Sequence, residues 1–322
     1  MTASANAATG GRVPERRVPD FFIVGNPKSG TTALHAMLRS HPQIHLPYLE
    51  GTQFLAREPQ RGSQQSEMQI EEYMSLFDGA GPEQRIGEVS PSYFRSSTAA
   101  ARIAELRPDA RIIAILREPA SFIRSLHLEL LQDHVETEKD LRKAIAIEEA
   151  RRQAGDPTIE HELRYSQERV RYVKQLRRYH DAFPPEQVLV LIYEDFRSDN
   201  EATVRKVLRF LQLDETAPIE VTDANPTVSV RSLRLYELVR SLYLGDGPVA
   251  RVAKAGIKTL TPQRLRRDGL GTLQRRVLYG KPAPPDEELM LELRRRSKGE
   301  VVALSEYLGR DLVTAWGYDR IG

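Results

Sequence analysis

Runs of consecutive apolar residues recur along the chain and are separated by stretches with helical spacing. Continuous apolar runs at 21–24, 111–116 and 188–193 predict strands that are buried on both faces. Weaker strands are predicted at 44–47 and 85–89. Strands that alternate with helices indicate an α/β fold with a parallel sheet flanked by helices.

Helices are predicted wherever apolar residues repeat every three or four positions. The first follows the first strand and carries Ala33, Leu34, Met37 and Leu38 on one face. Pro91 predicts an extended exit from the strand at 85–89, since the residue before a proline avoids helical angles. The other predicted helices cover 70–77, 99–106, 120–131, 136–183 with a break at 155–157, 203–213, and much of 285–316.

The segment between the first strand and the first helix has the spacing of an anion-binding loop. Gly25 and Gly30 are separated by four residues, and the helix begins directly afterwards. A loop of this kind directs backbone N–H groups and the positive end of the helix dipole at one point. We therefore predict a P-loop-like core that binds a phosphate or a similar anion.

This loop differs from that of the nucleotide triphosphatases, which has a lysine and then a metal-binding hydroxyl after its second glycine. Thr31 occupies the lysine position here, and the loop's lysine is Lys28. Ser29 and Thr32 add further hydroxyl donors. A lysine inside the loop can still reach the anion, so the sequence predicts anion binding without a metal.

A second phosphate-binding element is predicted after the strand at 111–116. Arg117 comes at the carboxyl end of that strand, which is the sheet edge where α/β folds bind ligands. Ser125 follows eight residues later, in the next predicted helix. A guanidinium and a hydroxyl together suit a phosphate.

Composition narrows the possible functions. The 322 residues carry a net charge of only +2, which does not favour nucleic acid or membrane surfaces as partners. They include no cysteine, so disulfides, thiolate catalysis and cysteine-based metal sites are excluded. The first residues lack the apolar core of a signal peptide, and no run could span a bilayer. We expect a cytoplasmic protein.

The chain shows no linker that would divide it. We predict a disordered tail at 1–19 and one domain at 20–322, with a charged helical insertion at about 133–183. Residues 231–281 are strongly basic. This segment is either a solvated face or a rim that guides anions towards the site.

The loop sequence PKSGTTALHAML and the later RIIAILREPASFIRS resemble the family of sulfotransferases that use 3′-phosphoadenosine 5′-phosphosulfate (PAPS), in its bacterial and glycan-modifying branch. GEVSPSYF, LIYEDFRSDNEATVRKVLRFLQL and YLGRDLVTAW extend the resemblance over about residues 20–318. The resemblance implies PAPS as cofactor, 3′-phosphoadenosine 5′-phosphate (PAP) as product, and no metal.

The resemblance also implies roles for single residues. The 5′-phosphosulfate would contact Lys28, Ser29, Gly30, Thr31 and Thr32, and the 3′-phosphate would contact Arg117 and Ser125. Tyr193 would line the adenine pocket, although a tyrosine at a strand end can be purely structural. Lys28 would stabilise the phosphate as it leaves.

The catalytic base is less well defined. In this branch of the family it is commonly a glutamate in a Lys-Glu-x-x-Phe-Phe segment. The corresponding residues here are EGTQFL, which place Gly51 at the glutamate position and Glu50 one residue earlier. Glu50 is the first candidate and Glu88 the second, while His45 and His127 are further possibilities because small-molecule sulfotransferases use histidine.

Three functions are compatible with this sequence. The favoured one is sulfuryl transfer to a hydroxyl or amine of a small-molecule, lipid or saccharide acceptor. The alternatives are a non-catalytic PAP- or PAPS-binding module and an NTP-dependent kinase, which Thr31 disfavours. The acceptor pocket is expected in the segments 48–69 and 133–183, since loops carry specificity.

Overall fold

The computed structural model describes residues 17–56, 70–133, 135–156, 164–221, 229–230, 279–280 and 282–321. The chain divides into two compact units. The first comprises Met1–Leu116 and Lys174–Thr222, and the second comprises Arg117–Val173 and Asp223–Gly322.

A five-stranded parallel sheet forms the centre of the first unit, in the order β2-β3-β1-β4-β5. The predicted parallel α/β architecture is therefore confirmed. Its strands are β1 (Phe21–Gly25), β2 (Ile44–His45), β3 (Arg85–Val89), β4 (Arg111–Leu116) and β5 (Val188–Ile192).

Helices cover this sheet because apolar side chains on both of its faces are buried. In one core cluster, Leu34 and Leu38 of the first helix and Val207 of a later helix pack with Ile23 and Ile113. The helices that belong wholly to this unit are α1 (Thr31–Arg39), α2 (Ile70–Ser75), α3 (Ala99–Leu106), α7 (Tyr193–Ser198) and α8 (Asn200–Leu211).

Three local predictions were wrong. Tyr193 was expected to end β5 but begins α7, where Glu194 and Asp195 in the first turn suit the helix dipole. The exit from β3 at Pro91 was expected to be extended. Ser90 avoids helical angles, with a φ of −136° and a ψ of 88°, but the chain then turns at once into a 3₁₀ helix at Pro91–Arg95, with the proline at its favoured first position. The strand at 44–47 ends at His45.

The second unit is largely helical in its described part. It contains α4 (Pro119–Gln132), α5 (Leu141–Gln153), α9 (Glu287–Leu308) and α10 (Leu312–Ala315), with α9 packed against α4 and α10. Helix α6 (Tyr172–Ala182) begins in this unit and continues into the first. The short strands β6 (Ser229–Val230) and β7 (Tyr279–Gly280) pair antiparallel.

The predicted helix at 136–183 is interrupted more than expected. Helix α5 ends at Gln153, just before the predicted break, and a 3₁₀ turn at Gln167–Val170 precedes α6. The basic segment 231–281 lies outside the described residues except for 279–280, as do residues 1–16 of the predicted tail and 57–69 of the predicted acceptor loop. None of the described helices is long and apolar enough to cross a membrane.

Candidate active site

The loop from β1 to α1 has the backbone of an anion-binding turn. Three of its residues have positive φ angles: Gly25 at 137°, Lys28 at 58° and Gly30 at 90°. A lysine in the left-handed region is uncommon and indicates that the fold imposes this conformation. The loop returns at once to helical geometry, because the Leu34 N–H donates to the Gly30 carbonyl at 3.0 Å.

The start of α1 offers donors and positive potential. Gly30 caps the helix without a side-chain hydrogen bond, and the first turn contains no acidic residue. Unsatisfied N–H groups at a helix start attract anions. Within the loop, Asn26 is buried, and its Nδ2 has no hydrogen-bond partner among the described residues. The Asn26 side-chain amide is therefore a donor that a ligand at this loop could use.

Aromatic side chains of α7 close one side of the loop. A Cβ added at Gly30 would lie 3.0 Å from the Phe196 ring and 3.2 Å from Tyr193 Cδ2. Tyr193 thus contacts the loop itself. This contact explains why a glycine is needed at position 30, both for its φ angle and for space.

Glu50 lies beside the start of α1. The Thr32 hydroxyl donates to Glu50 Oε2 at 3.2 Å, and His35 Nδ1 lies 2.9 Å from Glu50 Oε1. The hydrogen bond with His35 is the main cause of the lowered pKa of Glu50. A carboxylate with 26% of its side chain exposed is therefore held ionised next to the predicted anion loop.

Glu88, the second candidate base, occupies a different environment. It is buried at the end of β3, where hydroxyls surround both oxygens. Oε1 accepts from Thr52 at 2.6 Å, Tyr93 at 2.7 Å and Ser90 at 2.9 Å, and Oε2 accepts from Tyr73. Burial and the nearby carboxylate raise the pKa values of Tyr73 and Tyr93, so both phenols stay protonated as donors. This arrangement ties the segment after Glu50 to the sheet.

The two histidine candidates make other contacts. His45 ends β2 and pairs with Ile86, near the start of β3. His127 lies on α4 in the second unit, where Nδ1 is 2.8 Å from the Tyr165 hydroxyl and Nε2 is 3.2 Å from the Lys139 carbonyl. Both nitrogens of His127 are engaged, and burial lowers its pKa.

The second unit contains the predicted 3′-phosphate residues. Arg117 follows directly after the last residue of β4, and Ser125 lies on α4. Ser125 is 3% exposed, and its Oγ has no hydrogen-bond partner among the described residues. The pKa of Arg124 is lowered mainly by burial and secondly by repulsion from the Arg117 guanidinium. Two guanidinium groups that repel each other favour an anion between them.

Three residues hold the backbone around Arg117. The Tyr172 hydroxyl donates to the Arg117 carbonyl at 2.9 Å. Glu118 caps α4 by accepting from the Ala120 and Ser121 amides, and it also accepts from the Tyr318 hydroxyl at 2.6 Å. The turn after β4 is therefore fixed before any ligand binds.

Sequence reasoning missed several residues that shape these sites. His35 and Asn26 in the first unit, and Arg124 and Glu118 in the second, were not singled out. His35 carried a weak signal, since it is a polar residue on the apolar face of α1. The hydroxyl partners of Glu88 gave no signal in the sequence, because they come from separate segments. Among the described residues, no group of acidic or histidine side chains could hold a metal ion.

Comparison with known proteins gives a consistent result. A family described as "Sulfotransferase domain" matches residues 18–234. The human bifunctional heparan sulfate N-deacetylase/N-sulfotransferase 3 is 30% identical over 207 residues, which cover 61% of this chain and 22% of that protein. The human heparan sulfate glucosamine 3-O-sulfotransferase 6 is 34% identical over 106 residues, which cover 33% of this chain and 29% of that protein.

A solved structure is also similar. A sulfotransferase from Alicyclobacillus acidocaldarius superimposes with a TM-score of 0.56 at 29% identity, covering 78% of this chain and all of that chain. The matched part spans less than a third of the length of the two heparan sulfate enzymes.

Proposed function

Because the chain belongs to the family of sulfotransferase domains, we propose that it transfers a sulfuryl group from PAPS to a hydroxyl or amine. One observation supports this proposal in addition to family membership. The carboxylate of Glu50 lies 3.2 Å from the Thr32 hydroxyl, in the first turn of the helix that follows the anion loop. The candidate base and the predicted anion loop are thus adjacent within one unit, which supports the proposal because in-line transfer requires both.

The residues present fit the 5′ end of PAPS. The buried Asn26 Nδ2 without a partner among the described residues, the uncapped start of α1 and the glycine at position 30 all favour an anion at this loop. Lys28, Ser29, Gly30, Thr31 and Thr32 would hold the phosphosulfate. Tyr193, which contacts Gly30, would lie near the nucleoside.

A phosphate site is proposed separately for the second unit. Ser125 Oγ is buried without a partner among the described residues, and Arg124 and Arg117 are close enough for repulsion to lower a pKa. A bound phosphate would accept from the serine and relieve this repulsion. By the family resemblance, this group is the 3′-phosphate, contacted by Arg117 and Ser125.

PAPS supplies an activated sulfuryl group whose leaving group is a phosphate. Glu50 Oε2 takes the proton of the acceptor while the acceptor's lone pair forms the new bond to sulfur. Transfer would leave the electron pair of the broken sulfur–oxygen bond on the bridging oxygen of the phosphate. Lys28, the loop amides and the Thr31 hydroxyl would stabilise this negative charge, and Thr32 would join them once its hydroxyl hydrogen turns away from Glu50 Oε2, which then carries the acceptor's proton.

Glu50 is a better candidate for the base than Glu88. The proton must reach an oxygen that an acceptor can approach, and Glu50 is partly exposed whereas Glu88 is buried beneath four hydroxyls. We propose that Glu88 acts on the site by fixing Thr52, two residues after Glu50. Both ring nitrogens of His127 are engaged, by Tyr165 and Lys139, and His45 makes no hydrogen bond to Thr32 or Glu50 among the described residues.

Saccharides are the first acceptor class to test, because the two human relatives are named for heparan sulfate. Tyr48, two residues before Glu50, is 85% exposed, and the Arg39 guanidinium lies 3.3 Å from its ring centroid. An exposed aromatic ring next to the base offers a surface on which a sugar ring or a lipid chain could pack. Small-molecule alcohols, amines and lipids form the other arms of the test.

The decisive experiment is calorimetry of PAP binding without magnesium. We expect micromolar binding to the wild type, weakened at least tenfold by Lys28→Ala and by Arg117→Ala. Lys206→Ala removes an exposed lysine of α8 and serves as the matched control, with unchanged affinity. Absence of PAP binding, or binding of ATP that depends on magnesium, would refute the proposal and favour the kinase alternative.

Turnover separates an enzyme from a binding module. PAP release from PAPS is measured with desulfated heparan oligosaccharides, amines, simple alcohols and lipid alcohols. We expect turnover with at least one acceptor and its loss in Glu50→Gln. Tight PAP binding with no turnover on any acceptor would favour the module.

Three expectations stay predictions of the sequence. They are a cytoplasmic location, a single domain at 20–322 with an insertion at 133–183, and a guiding role for residues 231–281.

A further inference from the structure

His35 makes two short polar contacts from a buried position on α1. Its Nδ1 lies 2.9 Å from Glu50 Oε1, and its Nε2 lies 2.9 Å from the Pro47 carbonyl oxygen. The side chain is only 6% exposed. Both partners belong to the segment that leads into Glu50, so the histidine connects α1 to that segment at two points.

The identity of these partners determines the protons on the ring. A carbonyl oxygen only accepts, so Nε2 must carry a hydrogen. An ionised carboxylate also only accepts, so Nδ1 must carry one as well. The ring is then an imidazolium paired with the Glu50 carboxylate. The lowered pKa of Glu50, caused first by its bond with His35, agrees with this assignment.

His41 is a natural contrast within the same unit. Its Nε2 lies 2.9 Å from the Asp214 carbonyl and therefore donates, while its Nδ1 accepts from the Gln43 N–H at 3.2 Å. One nitrogen of His41 must be bare, so this ring is neutral. It is also buried, and neither of these two hydrogen bonds involves a carboxylate.

We propose that His35 is a positioning residue for the Glu50 base, holding Oε1 as a charged pair and leaving Oε2 directed at the Thr32 hydroxyl. This inference rests on the proposed sulfuryl transfer, in which Oε2 takes the acceptor's proton. His35 does not touch the acceptor or the reacting sulfur in this scheme.

The local backbone explains why Glu50 needs such support. Glu50 lies outside any helix or strand, and Gly51 and Gln53 have positive φ angles of 71° and 54°. A long side chain on an irregular segment samples several rotamers, which would move the base away from the acceptor. Contacts to Thr32 on one oxygen and His35 on the other restrict it.

Nitrogen-15 NMR of histidine-labelled full-length protein at pH 7.5 tests the charged pair without any activity measurement. Signals are assigned by their loss in His35→Gln and His41→Gln. We expect two protonated nitrogens for His35 and one bare nitrogen for His41. In Glu50→Gln, His35 should change to a neutral ring while His41 is unaltered. A neutral His35 in the wild type, or one unaffected by Glu50→Gln, would overturn the proposal.

Binding and turnover then test the positioning role. His35→Gln should bind PAP within twofold of wild type, which also shows that the variant folds. With the best acceptor of the panel, we expect its kcat to fall about 10- to 100-fold while the KM for PAPS changes little. His41→Gln should retain kcat. Equal losses in kcat for both variants, or loss of PAP affinity in His35→Gln alone, would contradict a role specific to the base.

These experiments distinguish a failure of the proposed sulfuryl transfer from a failure of the proposed role of His35. If the protein does not bind PAP, the sulfotransferase proposal fails, whatever the NMR result. If PAP binds and is released during turnover but His35 is neutral, only the positioning proposal fails.

Discussion

Two carboxylates of the first unit, Glu50 and Glu88, have opposite surroundings. Glu50 is partly exposed and meets one hydroxyl and one imidazole. Glu88 is buried and accepts from four hydroxyls that come from three different segments. The residue type alone therefore does not distinguish a candidate base from a structural acceptor. Solvent access and the number of hydrogen-bond donors around the carboxylate distinguish them.

Glu88→Gln should destabilise the protein. The substitution replaces one acceptor oxygen by an amide that faces buried hydroxyl donors, and loss of hydrogen bonds to a buried charge costs about 2–3 kcal/mol. Urea unfolding followed by circular dichroism measures this change. The exposed Glu83→Gln is the control and should alter the free energy of unfolding by less than about 0.5 kcal/mol. A Glu88→Gln protein as stable as the control would show that the network contributes little.

Ser125→Ala should weaken the preference of the protein for PAP, which has a 3′-phosphate, over adenosine 5′-phosphate, which lacks one. The buried hydroxyl has no other partner among the described residues, so its loss affects the ligand alone. We expect PAP affinity to fall about 5- to 10-fold, as for one lost charge-assisted hydrogen bond. Affinity for adenosine 5′-phosphate should not change. Ser121→Ala, on the same helix, should bind both ligands as the wild type does, and a similar loss there would argue against a specific role for Ser125.

The connection from β1 to α1 is where we propose that two elements form an anion site, largely from backbone. The strand ends at Gly25 and the helix begins at Thr31. The Asn26 N–H donates to the Ile115 carbonyl at 2.7 Å and Pro27 has no N–H, so an anion would bind at the later residues of the loop and the start of the helix. Helix α7 packs on this loop through Phe196 and Tyr193. The loop is therefore shaped by a helix that comes more than 160 residues later.

Gly30→Ala should distort the loop from β1 to α1. The new Cβ would lie 3.0 Å from the Phe196 ring at a φ of 90°, so both strain and crowding oppose it. We expect PAP affinity to fall at least tenfold and stability to fall by about 1–3 kcal/mol. Gly309→Ala is the matched control, since its φ is 59° but nothing lies within 4 Å of the added carbon. It should cost about 1–2 kcal/mol and leave PAP binding intact.

His127 and His180 should make the protein less stable in mildly acidic solution. Burial lowers the pKa values of His127 and His180 below their ordinary value of 6.5. Between the lowered pKa and 6.5, the unfolded chain binds protons that the folded chain does not, so unfolding is favoured as the pH falls. Burial raises the pKa values of Glu148 and Glu300, which has the opposite effect at lower pH.

Comparison with a variant isolates the histidine contribution. Urea midpoints of the wild type and His127→Gln are measured from pH 7.5 to pH 5.5. The wild type should lose more stability than the variant over this interval, because only the wild type carries the His127 titration. Parallel curves would show that His127 does not contribute, and a steeper variant curve would contradict the direction of the shift.

Much of the sheet could be predicted from local pattern. Strands β3 and β4 and helix α3 have the predicted bounds, since apolar runs and helical periodicity depend on neighbouring residues. Helix α7 was missed because its six residues are too few for a periodic signal and follow an apolar strand without a break. The family resemblance, confirmed by the match to residues 18–234, depended likewise on short contiguous motifs.

The sequence alone was enough to identify the parallel α/β class and the sulfotransferase family, because each is encoded in contiguous residues. The anion loop at Gly25 to Gly30 stays a prediction of the same kind. Tertiary structure was needed to separate Glu50 from Glu88 and to bring His35 to Glu50. Burial and hydrogen-bond partners arise only when segments distant in the chain meet, and no local pattern records them. Thr52, Tyr73 and Tyr93 surround Glu88 for this reason.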